Sequence, residues 1–310
     1  MALYNVPRHV ALHPYYDWRS KLRTTTKFRQ LLNDPGIIQA PGAYDCLTAK
    51  LIENAGFPAV YMTGAGTSVA QLGRPDLGLA SMTEMVANAA SMADILDVPL
   101  IADADTGYGG ILNVRRTVRQ YERAGVAAIH IEDQEMPKRC GHLDDKKVVS
   151  TEDMVQKIQA AVDARTDDDF TIIVRTDSIA VTGWDDAMNR CDAYVKAGAD
   201  ALFVEALRTS EEVERVGKNL DVPLLFNFVE SGKSPLISAS ELEKFGFKIV
   251  IYPASALLSV AHVVEQVMAQ LKEKGTTSHL LENMASLQDC FETMGLSSML
   301  AEDAKFAMHA

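Results

Sequence analysis

The chain has no apolar run approaching the ~20 residues that a membrane helix needs, and its N-terminus carries no hydrophobic signal core. It also lacks basic excess: 30 Lys and Arg face 42 Asp and Glu, a formal charge of -12. That balance argues against nucleic acid or an anionic membrane as partner, because phosphate neutralisation needs a basic face. Cysteine is scarce. The four present (Cys46, Cys140, Cys191 and Cys290) form no Cys-x-x-Cys or Cys/His metal spacing, so we expect free thiols in a reducing, cytoplasmic compartment. No Gly-x-Gly-x-x-Gly follows the first apolar run, which removes the mark of an open dinucleotide-binding sheet. Basic residues dominate only at the start, where Arg8, Arg19, Lys21, Arg23, Lys27 and Arg29 face the single acid Asp17. An organellar presequence is therefore an alternative, although Pro7, Pro14 and Tyr15-Tyr16-Trp18 read better as an arm packing on a neighbour.

What the chain does have is apolar material in short pieces. Eight runs stand out: 37–40, 59–62, 100–102, 128–131, 171–174, 201–204, 224–226 and 249–252. Helical patterns lie between them at 46–55, 83–96, 114–124, 151–164, 184–197 and 210–216, and a long one follows at 255–274. Gly56, Gly125 and Gly198 punctuate helix ends, and Ser150-Thr151-Glu152-Asp153 reads as an N-terminal cap. Continuous rather than alternating apolar strands, interleaved with helices, predict a parallel sheet covered on its outer face. Eight such units predict a (β/α)8 TIM-type barrel of the α/β class. The expected organisation is an N-terminal arm over 1–27, the barrel over 28–274 and a helical tail over 275–310. The Met- and Leu-rich tail, with Leu280, Leu281, Met284, Leu287, Met294, Leu296, Met299 and Leu300, reads either as core or as a subunit interface.

If the runs are strands, polar residues gather at their C-terminal ends, where barrel enzymes build their sites. These are Thr63-Gly64-Ala65-Gly66, Asp103 with Asp105, Glu132 with Asp133, Arg175 with Asp177, Glu205, Asn227 and Ser255. Singly each has a bland explanation: aspartates cap helices, a loop cysteine is more often incidental, and Asp144-Asp145-Lys146-Lys147 reads as a solvated charge run. Their shared position is what argues for a site. Asp103 and Asp105, with Glu132 near them, suit Mg²⁺, which takes few carboxylates and keeps waters. Arg175 offers a fork for a carboxylate. Backbone amides around Gly64 and Ala65, beside Tyr61, can cradle an oxyanion. In Pro137-Lys138-Arg139-Cys140-Gly141-His142 one thiol stands among two cations and an imidazole, a setting that favours proton transfer near neutrality. That loop and Gly73-Arg74-Pro75-Asp76-Leu77-Gly78 are the long connections expected to act as lids.

Tyr61-Met62-Thr63-Gly64, Arg74-Pro75-Asp76-Leu77-Gly78, Asp103-Ala104-Asp105-Thr106-Gly107-Tyr108-Gly109, His130-Ile131-Glu132-Asp133-Gln134, Lys138-Arg139-Cys140-Gly141-His142 and Arg175-Thr176-Asp177 together resemble the isocitrate lyase/phosphoenolpyruvate mutase superfamily. The resemblance runs from about residue 28 to the C-terminus, and its cysteine loop is similar to that of the carbon-carbon lyases, the methylisocitrate and 2,3-dimethylmalate (2-alkylmalate) lyase branch. It implies a barrel whose last helix is exchanged between subunits, giving a homotetramer built of dimers, and Mg²⁺ (Mn²⁺ as substitute) holding a 2-oxo or 2-hydroxy acid. It implies a metal site of Asp103 and Asp105 with Asp76 and Glu132, substrate binding by Thr63, Gly64, Ala65, Arg175, Glu205, Asn227 and Ser255, and Cys140 as catalytic acid with Lys138 and His142 beside it. Tyr61, or a metal-linked water, is the candidate for handling the hydroxyl proton.

The reaction so implied is retro-aldol cleavage of a substituted malate. The resemblance also implies a choice of substrate: methylisocitrate lyases carry Arg where this chain has Leu258 after Tyr252-Pro253-Ala254-Ser255. An unpaired buried carboxylate is costly, so the departure favours a dicarboxylate over tricarboxylic methylisocitrate. Oxaloacetate hydrolysis is the nearest alternative. A phosphonomutase, against which Cys140 argues, and a catalytically silent assembly barrel are more distant ones.

Overall fold

The structure, a computed structural model, describes residues 22–141, 143 and 145–307. Its elements run α1 (Thr24–Asn33), β1 (Ile38–Ala43), α2 (Cys46–Asn54), β2 (Val60–Met62), α3 (Gly64–Thr67), α4 (Met82–Ile95), β3 (Leu100–Asp103), α5 (Ile111–Arg123), β4 (Ala128–Glu132), α6 (Thr151–Ala164), β5 (Thr171–Thr176), α7 (Trp184–Lys196), β6 (Ala201–Val204), α8 (Ser210–Asn219), β7 (Leu224–Asn227), α9 (Ala239–Lys244), β8 (Ile249–Tyr252), α10 (Ser255–Lys274), α11 (Leu287–Thr293) and α12 (Leu296–Phe306). All eight strands are parallel, each pairs with its neighbour in sequence, and β8 returns to β1 through Ile38↔Ile249 to Pro41↔Tyr252. The (β/α)8 barrel expected from the sequence is the observed fold.

Strands β2 to β8 are wholly or almost wholly buried, which is why they read as apolar runs, while β1 is half-buried at Gln39 and Pro41. Successive side chains still alternate in direction. Val60, Met62, Leu100, Ala102, Ile129, Ile131, Ile172, Val174, Leu202, Leu224 and Val250 pack outward with the helices. Ile38, Tyr61, Ile101, Ala128, Ile173, Ala201, Phe203, Leu225, Ile249 and Ile251 fill the interior. The inward parity carries on to Asp103, Glu132, Arg175, Glu205 and Asn227, the next inward positions toward the C-terminal rim.

Three differences from the sequence reading have physical reasons. β1 continues through Pro41-Gly42 to Ala43 because a Cβ at Gly42 would lie 2.7 Å from Pro253 Cα, so β8 approaches only a glycine there. The Thr63-Gly64-Ala65 segment is the first turn of a helix rather than a loop, with Thr63 as its cap accepting from Gly66 N at 3.3 Å; glycines disfavour helix, and contacts with the barrel override that tendency. α1 begins at Thr24 and so crosses the boundary placed at residue 27. It seals the bottom of the barrel with fully buried Phe28 and is tied by Lys27 Nζ to Asp97 O at 2.7 Å and Arg29 to Asp200 at 2.8 Å.

α10 behaves unlike the barrel helices before it: none of its residues is buried. Leu258, Val260, Val263, Val264, Met268 and Leu271 on α10 are exposed, as are Leu281, Leu287, Phe291, Met299 and Leu300 beyond it. Among the described residues no helix is long and apolar enough to cross a membrane, and Cys46, Cys140, Cys191 and Cys290 are all free thiols.

Candidate active site

Asp103 ends β3 and Asp105 follows in a tight turn, with φ of 47° and its amide donating to Asp103 Oδ1 at 2.9 Å. Both carboxylates are buried, at 6% and 2% exposure. α3 presses against them so closely that a Cβ on Gly64 would overlap the Asp103 carboxylate. This close approach requires a glycine at position 64. The Lys138 ammonium reaches in from the cysteine loop and lies 2.6 Å from Asp105 Oδ1 and 2.6 Å from Asp76 Oδ1. It thereby joins both long rim loops to the end of β3. Burial disfavours the Lys138 charge, but Asp105, Asp103, Glu132 and Asp76 outweigh it and raise its pKa well above the ordinary value. Burial pushes Asp105 up to about 7 against the pull of Lys138. Asp103 moves the other way, because despite its burial His130 and Lys138 favour the carboxylate.

A second cluster surrounds Arg175 on β5. Its guanidinium meets Asp177 through Nε at 2.8 Å and Nη2 at 3.1 Å, Glu132 Oε2 at 3.3 Å and Glu205 Oε2 at 3.3 Å, and lies 5.0 Å over the Phe203 ring. Glu205 is held in turn by Asn227 Nδ2 at 3.0 Å and the Ala206 amide at 2.7 Å. Burial raises the Glu132 pKa well above the carboxylate range, more than Arg175 lowers it, and Glu132 Oε1 has no partner among the described residues. Asp177 is driven far below the usual range: burial opposes its charge, and Arg175 and Lys146 overcome that.

Tyr61 and His130 lie beneath the carboxylates. Tyr61 Oη is 2.8 Å from His130 Nε2, and that nitrogen is 3.6 Å from Asp103 Oδ1. Burial raises the Tyr61 pKa well above 10 and lowers that of His130 to about 4, so the phenol keeps its proton and the imidazole is neutral at physiological pH.

The structure thus brings together Tyr61, Thr63, Gly64, Asp76, Asp103, Asp105, Glu132, Lys138, Arg175, Glu205 and Asn227 at one rim. Ala65 follows Gly64 in the first turn of α3. Half-buried Cys140 precedes Gly141, and a Cβ on Gly141 would overlap the Arg175 guanidinium and come within 2.7 Å of Glu205 Cδ. The thiol loop therefore packs its backbone onto the Arg175 cluster. Ser255 opens α10, its hydroxyl bonded to Glu230, and Leu258 lies in the same first turn at 46% exposure. His142 lies outside the described residues. Two residues of the site are given no role by the sequence, His130 and Lys146, whereas Asp177 already reads beside Arg175 at the rim. The parity of β4 could have found His130, which lies between inward Ala128 and inward Glu132.

Among the described residues no three His, Cys, Asp or Glu side chains already stand at metal-holding distances. The oxygen-only set of Asp103, Asp105, Asp76 and Glu132, with the partnerless Glu132 Oε1, still fits a hard cation that takes one or two carboxylates and keeps its waters.

Comparison with known proteins agrees with this geometry. The phosphoenolpyruvate phosphomutase family matches residues 28–272. The 2,3-dimethylmalate lyase of Eubacterium barkeri is 44% identical over 92% of this chain and 99% of its own length. The 2-methylisocitrate lyase of Halalkalibacterium halodurans is 39% identical over 93% and 95%. Among solved structures, 2,3-dimethylmalate lyase superposes with a TM-score of 0.89 at 42% identity, covering 93% of this chain and 97% of that one. Oxaloacetate acetylhydrolase with 3,3-difluorooxalacetate also gives 0.89, at 38% identity over 93% and 98%. Phosphonopyruvate hydrolase with oxalate and Mg²⁺ gives 0.84, at 32% identity over 93% and 100%. With the barrel, the rim carboxylates and these relatives in agreement, the chain belongs to the phosphoenolpyruvate mutase/isocitrate lyase superfamily.

Proposed function

We propose that this protein is a Mg²⁺-dependent carbon-carbon lyase that cleaves a 2-hydroxy dicarboxylate of the 2-alkylmalate or 2,3-dimethylmalate type to a 2-oxo acid and a carboxylic acid. The observation that carries this reading is the packing of the cysteine loop, through Gly141, onto Arg175 and Glu205 at the rim that holds Asp103 and Asp105. The names of its relatives, 2,3-dimethylmalate lyase and 2-methylisocitrate lyase, support the same class. Leu258 in place of an arginine supports a dicarboxylate over the tricarboxylate.

Arg175 and the amides of Gly64 and Ala65 bind the substrate carboxylate, with Thr63, Glu205, Asn227 and Ser255 around it. Asp103 and Asp105, with Asp76 and Glu132 close by, would hold a Mg²⁺ ion (Mn²⁺ as substitute), which would supply Lewis-acid polarisation of substrate oxygens. The Mg²⁺ and oxalate of the phosphonopyruvate hydrolase structure support that assignment. Tyr61, whose phenol stays protonated because burial raises its pKa, serves as a hydrogen-bond donor to the substrate, and a single water beside Asp103 and Asp105 takes the 2-hydroxyl proton. The electron pair of the broken C2–C3 bond passes to the enediolate of the departing acid, and the Cys140 thiol returns a proton to its carbon. Lys138, two residues before Cys140, ties the thiol loop to Asp76 and Asp105 through its ammonium, and His142 keeps its catalytic place through the family resemblance. Loop closure excludes the water that would otherwise protonate the enediolate.

The exposed apolar face of α10 and the tail supports an assembly in which these helices are covered by a second copy of the chain, as a tetramer of exchanged helices. The four free thiols support a cytoplasmic location. Oxaloacetate hydrolysis is the second reading, favoured by the TM-score of 0.89 to oxaloacetate acetylhydrolase. The test is incubation with Mg²⁺ and, separately, 2,3-dimethylmalate, 2-methylmalate, methylisocitrate and oxaloacetate, with products followed by NMR. Pyruvate and propionate from dimethylmalate establish the proposal. Oxalate and acetate from oxaloacetate alone replace it with the second reading.

A further inference from the structure

Lys146 is a buried cation without a part in the chemistry above. Its side chain is 3% exposed, with Nζ 2.7 Å from Asp177 Oδ1 and 2.6 Å from the carbonyl oxygen of Gly141. A buried ammonium is costly unless paired, and the Asp177 carboxylate alone would meet that need. The second bond goes instead to the residue that adjoins Cys140. Asp177 is the same carboxylate that grips Arg175 through Nε and Nη2. The result is an unbroken path from the Arg175 guanidinium through Asp177 and the Lys146 ammonium to the backbone at the thiol. The approach of Gly141 to Arg175 and Glu205, tight enough to forbid a Cβ, is what this path holds in place. The loop is steadied on its other side by Gln134, which bonds the Arg139 carbonyl at 2.9 Å and accepts from the Arg139 amide at 3.0 Å. Gln134 fixes one flank of Cys140 and Lys146 fixes the other.

We propose that Lys146 is a positioning residue that sets the Cys140 thiol relative to the substrate-binding Arg175 by clamping the Gly141 carbonyl to Asp177. The inference rests on the reading of Cys140 as the proton donor. A proton donor works only within hydrogen-bond reach of its target, and a misplacement of about 1 Å can cost roughly a hundredfold in rate. Arg175 keeps both bonds to Asp177 when Lys146 is removed, so ground-state binding survives while proton delivery suffers.

The experiment compares the full-length enzyme with Lys146→Met by two readouts. Amide hydrogen exchange over residues 139–143, without substrate, is expected to accelerate by about tenfold or more as the clamp is lost. Turnover of the substrate identified by NMR is expected to drop by roughly tenfold to a hundredfold with KM within about threefold of wild type. Unchanged exchange overturns the proposal, and so does faster exchange with unchanged kcat. A rise in KM equal to the fall in kcat/KM also overturns it, since it assigns Lys146 to binding. If Lys146→Met does not fold, Lys146→Arg retains the cation beside Asp177 while displacing its donors, and the same readouts decide. A wild-type enzyme that cleaves none of the four acids defeats the functional reading, and the exchange measurement then still decides whether Lys146 holds the loop.

Discussion

The two ends of the barrel are built from the same inward-facing positions and serve opposite ends. At the N-terminal end these positions hold Ile38, Ile101, Ala128, Ile173 and Ile249, closed off by Phe28 of α1 with no exposed surface. At the C-terminal end they hold Asp103, Glu132, Arg175, Glu205 and Asn227, ionisable groups and one amide almost wholly removed from water. The first arrangement gains free energy by burying apolar area. The second is held by reciprocal ion pairs that break even at best. Stability of the barrel thus comes from its floor, and the rim is the part whose energetic cost has to be explained by chemistry.

Substitutions at the two ends should therefore separate stability from turnover. The largest effect is expected for Arg175→Met, which leaves Asp177, Glu132 and Glu205 without their shared cation. Turnover should fall by about a thousandfold, and stability by about 3–5 kcal/mol because buried carboxylates lose their partner. Steady-state kinetics and urea unfolding check both. Cys140→Ser should cut turnover by about a hundredfold with the unfolding midpoint unchanged, since the half-buried thiol supports no core. Near-normal turnover would remove Cys140 from the mechanism. Phe28→Ala should do the reverse, costing about 3–5 kcal/mol of stability with kcat at 20 °C nearly unchanged; a large loss of turnover in the folded variant would erase the division between floor and rim.

The smallest effect is one of pH. The folded pKa of Asp177 lies below its unfolded value, so its contribution is fully present above the unfolded pKa of about 3.9 and is lost as pH falls below it. The gap in thermal stability between wild type and Asp177→Asn should therefore be constant from pH 7 to about 5 and narrow below about pH 4. A gap independent of pH would assign the loss to geometry rather than charge. A separate comparison, of the packed helices α1 to α9 with the exposed tail beyond α10, is tested by deleting 276–310. Light scattering should show the assembly dissociating, and a tetrameric truncated protein would refute the interface reading of the tail.

Much of the rim was legible because barrel sites lie at the C-terminal ends of strands, and the structure shows the inward parity of the strands reaching those ends. Asp103, Glu132, Arg175, Glu205 and Asn227 each close an apolar run, and the recurrence of polar residues at the same end of several strands is what single helix caps do not explain. His130 obeys the same parity but was hidden inside its run, where an imidazole reads as a core residue. Lys146 was not legible at all. Beside exposed Asp145 and Lys147 it belongs to what reads as a solvated charge run, and local sequence cannot show that one of these side chains turns inward to meet the carboxylate of Asp177 just beyond β5. The helix at Thr63-Gly64-Ala65 was equally concealed, because glycine's low helix propensity is overridden there by the close approach of Asp103.

By itself the sequence determined the eight strands, the barrel and the polar residues that close its strands, since apolar runs and end-of-strand polarity are local properties of the chain. Only the tertiary structure decided how those residues are paired: Lys138 between Asp76 and Asp105, Arg175 among three carboxylates, Gly141 against Arg175, and α10 with no core to cover it. These pairings join residues far apart in the chain, and their energies depend on distances and burial that barrel closure creates.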